Sequence, residues 1–179
     1  MGRKVVLYKR ALKEVQKLIE EKGGVDMAMK GFLGQFDINI DDKGRVRIPS
    51  KYKVQLGEEF VISCAGTTCL SVYPMEKWDK LTEEVDSLSE FDEEAAEFKR
   101  SIYTNATWGE FDSAGRVLIP VRYREYAQFK KELVVVGVGD HFEIWDAENW
   151  ANGSYSSLEK RKTLQKEITQ KLAGGKNGI

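Results

Sequence analysis

Between Ile38 and Ile48 the apolar residues fall at alternate positions on either side of a polar break. Ile38 and Ile40 come first, then Val46 and Ile48, with Asp41, Asp42, Lys43 and Gly44 between them. A period of two predicts two half-buried strands joined by a tight turn. Asp41 can accept hydrogen bonds from turn amides, Gly44 can take the positive φ such a turn needs, and Pro49 cannot donate to a sheet ladder, so it stops the second strand. Seventy-one positions later the pattern returns: "DDKGRVRIP" (41–49) and "DSAGRVLIP" (112–120) agree at six of nine residues.

Whole units repeat around these nonapeptides. Tyr52 matches Tyr123, "EFVIS" matches "ELVVV", and "LSVYPMEKW" (70–78) matches "FEIWDAENW" (142–150), ending on Trp78 and Trp150. Each unit reads as a strand, a glycine turn, a short strand ending at proline, a polar helical turn, a β-branched hairpin and a helix. Two copies are too few for a solenoid. They predict a mainly β fold with short helices (α+β), with an internal pseudo-two-fold in which each half completes the other's core.

The expected organisation is an N-terminal extension (1–30), a first repeat (31–80), an acidic connecting helix (81–101), a second repeat (102–151) and a basic tail (152–179). "VLYKRALKEVQKLIEEKGG" has Leu12, Val15, Leu18 and Ile19 on one helical side and Gly23-Gly24 as a stop. Residues 22–26 can also be encoded by a purine-rich ribosome-binding site, which places the expected start of translation at Met27 or Met29. In the acidic stretch, Trp78, Leu81, Val85 and Leu88 mark the dry side of an amphipathic helix. In the tail, Leu164, Ile168 and Leu172 allow a short helix, and six basic residues between Lys160 and Lys176 face one acid, Glu167. Such a tail is expected to be solvated.

The 179-residue chain is 41% hydrophobic, enough for a shared core, and no apolar run nears the roughly 18 residues of a membrane helix. Cys64 and Cys69 do not make a disulfide scaffold, so reduced thiols and a cytoplasmic setting are expected. A net charge of −1 hides segregation: ten acids against two lysines over 76–97, but Lys43, Arg45, Arg47, Lys51 and Lys53 against Asp41 and Asp42. A polyanion feels that local basic patch rather than the average.

Enzyme chemistry finds little support. His141 lies in a hairpin loop without a nucleophile motif, and "GVGD" (137–140) sits between strands, where it reads as a turn and not a phosphate cradle. Two thiols and one distant histidine fall short of a four-ligand zinc site. No metal or cofactor is expected. The aspartate–arginine pair in each turn has two readings: a hairpin brace, as surface ion pairs usually are, or an arginine held in position to meet a ligand.

In combination, "IDDKGRVRIP", "SVYPMEKW" and "VVVGVGDHFEIW" resemble the MraZ family of bacterial transcriptional regulators, over about 32–150. The resemblance implies a duplicated swapped-hairpin, AbrB-like β-barrel. It also implies a DNA-binding Asp-x-x-x-Arg in each half, here Asp41/Arg45 and Asp112/Arg116. It further implies a homo-oligomeric ring on double-stranded DNA at promoter direct repeats, nucleoid association, and control of the protein's own cell-division and cell-wall operon. Lys43, Arg47, Lys51 and Lys53 are then candidate phosphate contacts. In the second copy Ala114 replaces Lys43 and Leu118 replaces Arg47, while Arg122 and Arg124 follow the proline. The first turn is therefore expected to be the main reader, and the second to serve the core, assembly or backbone contact. Rival readings are an AbrB-type antitoxin or transition-state regulator, which the duplication disfavours, and a ring-forming assembly protein whose turns only brace hairpins.

Overall fold

The structure is a computed structural model that describes residues 31–64, 68–153 and 162–168. The N-terminal helix, the alternative starts and Leu172 lie outside the described residues. The elements are β1 (Gln35–Asn39), β2 (Arg45–Val46), α1 (Ser50–Leu56), β3 (Glu59–Ser63), β4 (Leu70–Pro74), α2 (Met75–Asp86) and α3 (Glu93–Thr104), followed by β5 (Ala106–Glu110), β6 (Val117–Leu118), α4 (Val121–Tyr126), β7 (Glu132–Gly137), β8 (Phe142–Asp146) and α5 (Ala147–Asn152). The order repeats from β5 onward as the sequence duplication predicts.

Six strands form one antiparallel sheet in the order β1-β7-β8-β4-β3-β5, and β2 pairs with β6 in a separate two-stranded ribbon. Each half gives its first strand to the other: β1 pairs with β7, and β5 with β3. The exchange is in matching register, with Asn39 opposite Glu132 and Glu110 opposite Glu59. Swapping the halves maps the pairing scheme onto itself, so neither half has a complete sheet alone.

The sheet is open, with β1 and β5 at its edges, and no closed barrel forms among the described residues. The second arm of each hairpin is too short to carry a ladder around. Only the bridge Ile40–Val46 joins the first hairpin's arms beyond the turn, and the strands end before Pro49 and Pro120. A proline offers no N–H to a further strand.

One core serves both halves, and the matched positions meet inside it: Val46 and Val117, Ile48 and Ile119, Tyr52 and Tyr123, Phe60 and Leu133, Ile62 and Val135, Val72 and Ile144. Each fully buried large side chain contributes about 1.5–3 kcal/mol, so this shared cluster is the main reason the halves stay together. Between them the acidic stretch forms two helices where one was expected. Asp92 caps α3 by accepting from the amides of Glu94 and Ala95, so the chain starts a new helix. The buried side of α2 carries Trp78, Thr82 and Val85, while Leu81 and Leu88 are exposed. Residues 162–168 are helical and exposed throughout, as expected of a solvated tail.

Candidate nucleic-acid interface

Both nonapeptides build the same clamp. Gly44 and Gly115 take φ of 78° and 69°, and their amides donate to the carbonyls of Asp41 and Asp112 at 2.8 and 2.7 Å. In the first turn, Asp41 Oδ1 accepts from the amides of Lys43 (3.0 Å) and Arg45 (2.9 Å). Its Oδ2 accepts from Arg45 Nε (2.8 Å) and Nη2 (2.7 Å). Asp112 repeats this with the amides of Ala114 and Arg116, at 2.9 and 2.8 Å, and with Arg116 Nε and Nη2, at 2.9 and 2.8 Å. One carboxylate therefore closes the turn and fixes the arginine.

The hydrogen bonds have an electrostatic signature. Those from the Arg45 side chain and then its backbone amide hold the Asp41 carboxyl well below the usual carboxylate range, at about 2. Arg116 lowers Asp112 in the same way. Each guanidinium uses only its Nε–Nη2 side on the aspartate, so Nη1 of Arg45 and of Arg116 has no partner among the described residues. A planar fork held along one edge can offer the other to an acceptor pair.

The two turns are joined. Arg45 lies opposite Leu118 and Val46 opposite Val117 in the β2–β6 ribbon, and one step on, Arg47 faces Arg116. Since side chains alternate across a strand, Val46, Ile48, Val117 and Ile119 point into the core, with exposures of 2% or less. Arg45, Arg47, Arg116 and Leu118 share the outer face. Two cross-links tie the ribbon to the turns, and a third ties α1 to the second turn. The amide of Ile119 donates to the Gly44 carbonyl (2.9 Å), Arg47 Nη1 to the Ala114 carbonyl (3.2 Å), and Lys53 Nζ to the Gly115 carbonyl.

Each glycine is also covered by the other half's basic residue. A Cβ on Gly44 would lie 2.8 Å from Arg124 Cζ, and one on Gly115 would meet Lys53 Nζ. Arg124 and Lys53 are equivalent, seventy-one positions apart. Lys53 is hydrogen-bonded and sits 5.1 Å from the centre of the Phe111 ring, whereas the Nε of Arg124 is buried with no hydrogen-bond partner among the described residues.

Of the predicted residues, Asp41, Arg45, Arg47, Lys53, Asp112, Arg116 and Arg124 are brought together at the paired turns. Lys43 is exposed in the first turn, and Lys51 is exposed on α1. Arg122 points elsewhere: its Nη1 and Nη2 donate to the Thr104 carbonyl (3.1 Å) and Asn105 Oδ1 (2.7 Å), tying α4 to the end of α3. Leu118, which replaces the first repeat's Arg47, stands on the outer face, as the alternation in "GRVLIP" requires. Elsewhere, His141 is not a free loop residue. It bonds to Asp140 (2.7 Å) and stacks on Tyr73 at 4.6 Å, while Lys77 pairs with Asp140 (2.6 Å). Among the described residues no His/Cys/Asp/Glu group has the arrangement of a metal site, and no helix is long and apolar enough to cross a membrane.

The MraZ family, described as "MraZ protein, putative antitoxin-like", matches residues 32–101 and 102–170. A transcriptional regulator MraZ of Thermomicrobium roseum is 44% identical over 120 residues, spanning 67% of this chain and 84% of the relative. Those of Halothermothrix orenii (40% over 129 residues, 72% and 90%) and Moorella thermoacetica (42% over 137 residues, 76% and 96%) are similar along nearly their whole length.

Proposed function

The chain belongs to the MraZ family, and on that footing we propose that it is a sequence-specific DNA-binding transcriptional regulator whose reading element is the β2–β6 ribbon. The observation that carries this reading is the outer face of that ribbon, with Arg45 and Arg116 clamped by aspartates and Arg47 alongside. B-DNA's major groove is about 12 Å wide and admits a two-stranded ribbon, where an arginine fork matches the O6 and N7 of guanine. Lys43 in the first turn and the exposed Lys51 of α1 contact phosphates, and Arg47 adds charge while bracing the second turn.

The pairing of β1 with β7 and of β5 with β3 supports reading the fold as a duplicated swapped-hairpin, AbrB-like unit. Copies of the chain assemble into a ring that sets several ribbons on promoter direct repeats, multiplying weak contacts. Among the described residues β1 and β5 are the edge strands, and their outer edges suit such pairing. The regulated genes are the protein's own cell-division and cell-wall operon, which it represses from a cytoplasmic, nucleoid-associated location, and it carries out no catalysis.

Fluorescence anisotropy tests the reading with a duplex from upstream of the protein's own gene and a scrambled duplex. Preference for the native duplex is expected, with log affinity falling against log salt by about 0.9 per phosphate neutralised. The cross-links from Arg47 and Lys53 to turn carbonyls favour one second reading, in which the turns only brace an assembly protein. Equal binding of both duplexes, or of neither, would select it.

A further inference from the structure

Leu118 is the only apolar side chain on the outer face of the ribbon and is 58% exposed. Singly exposed leucines are ordinary, but this one lies directly opposite Arg45 and shares its face with Arg47 and Arg116. Its neighbours in sequence, Val117 and Ile119, are buried at 1% and 0%. Packing within the chain therefore accounts for the residues on either side of it and not for Leu118.

We propose that Leu118 is a specificity-determining residue that packs on the C5-methyl group of a thymine next to the guanine read by Arg45. The proposal rests on the DNA-reading function above. Directly opposite residues of an antiparallel pair hold their Cβ atoms about 4.5–5.5 Å apart, and bases along a strand step by about 3.4 Å. The two side chains thus reach the same or neighbouring base pairs. Thymine alone presents a methyl group in the major groove. Cytosine presents an N4 donor, which a leucine would bury unpaired.

The asymmetry also gives the ribbon a direction. Its Arg45 side carries a guanidinium and a leucine, while its Arg116 side carries two guanidiniums, with Arg47 opposite. A ribbon with identical sides would favour a palindrome, as two-fold symmetric readers do. One with unlike sides has a preferred orientation, as binding to direct repeats requires.

The test begins with selection from random-sequence duplexes. The best-bound duplex is then remade with deoxyuridine in place of thymine, one position at a time, which removes only the methyl group. Wild type is expected to lose about fourfold in affinity at one thymine, in keeping with the burial of one methyl group. That thymine should adjoin the guanine on which Arg45→Ala loses its preference. Leu118→Ala is expected to bind the thymine and uracil duplexes equally, with an unchanged salt slope and unchanged thermal unfolding. Indifference of wild type to uracil at every position would overturn the proposal, as would undiminished discrimination by Leu118→Ala. A lower assembly mass for Leu118→Ala than for wild type in light scattering would instead make Leu118 an assembly contact and overturn the proposal. Failure to enrich any duplex would remove the DNA-reading function itself, a result distinct from enrichment without a methyl effect.

Discussion

The turns at Asp41 and Asp112 agree in every hydrogen bond of their clamp and differ in what surrounds it. Corresponding donor–acceptor distances agree within about 0.1 Å, from amide to Oδ1 and from guanidinium to Oδ2. Around the first turn stand Lys43, Leu118 and the half-buried Arg124; around the second stand Ala114, Arg47 and the hydrogen-bonded Lys53. Holding an arginine in place needs one local geometry, which both copies keep. What that arginine meets depends on the outer face, and there the copies diverge.

The largest expected difference lies in the glycines. Both glycines have positive φ, so an alanine is strained at either; at Gly44 it also clashes with Arg124, whose Nε is buried, whereas at Gly115 it displaces only the flexible end of Lys53. Gly44→Ala is expected to cost about 2–3 kcal/mol and Gly115→Ala about 1–2 kcal/mol in urea unfolding. Equal losses would break the comparison. Next, Arg47→Leu gives the first repeat the leucine that the second carries at the equivalent position, and removes the guanidinium beside the second turn. It should flatten the salt dependence of DNA binding by about 0.9 in log–log slope, one phosphate's worth, whereas Ser113→Ala, at the exposed tip of the second turn, should leave the slope unchanged. Lys53→Met removes the bond to the Gly115 carbonyl and should cost about 0.5–1.5 kcal/mol, read as a lower Tm.

The smallest difference is in acid. Both carboxyls are held below their ordinary value, with Asp41 at about 2 against 3.8. A depressed folded-state pKa adds stability that is complete above the unfolded value and fades as pH falls through the folded one. Stability from the clamps should therefore persist at pH 5 and decline between about pH 4 and pH 2. Asp41→Asn and Asp112→Asn should each flatten that decline, which an unfolding series across the range would measure. A change confined to pH 6–8 would point to other groups.

The clamp was legible in the sequence because all its parts lie within nine residues: an acceptor at Asp41, a glycine for positive φ, an arginine four residues on, and a proline to stop the strand. The duplication similarly exposed one shared core. Strand exchange was not fixed by local pattern, since Gln35–Asn39 would alternate in the same way beside any partner. The expected barrel did not allow for the shortness of an arm that ends before Pro49. The single acidic helix overlooked Asp92 as a cap. Arg122 was grouped with the turns by proximity in sequence, yet α4 aims it at Thr104 and Asn105. Leu118 was judged by what it replaces, not by the face on which it stands.

The central claim is that the paired turns form one reading ribbon in which the first turn leads. Its most direct test measures the affinity ratio of native to scrambled duplex for wild type, Arg45→Ala and Arg116→Ala at one salt concentration. Arg45→Ala is expected to lose the preference by roughly 5- to 150-fold, the worth of one bidentate base contact, and Arg116→Ala to lose several-fold less. The reverse ranking, or two variants as selective as wild type, would contradict the account.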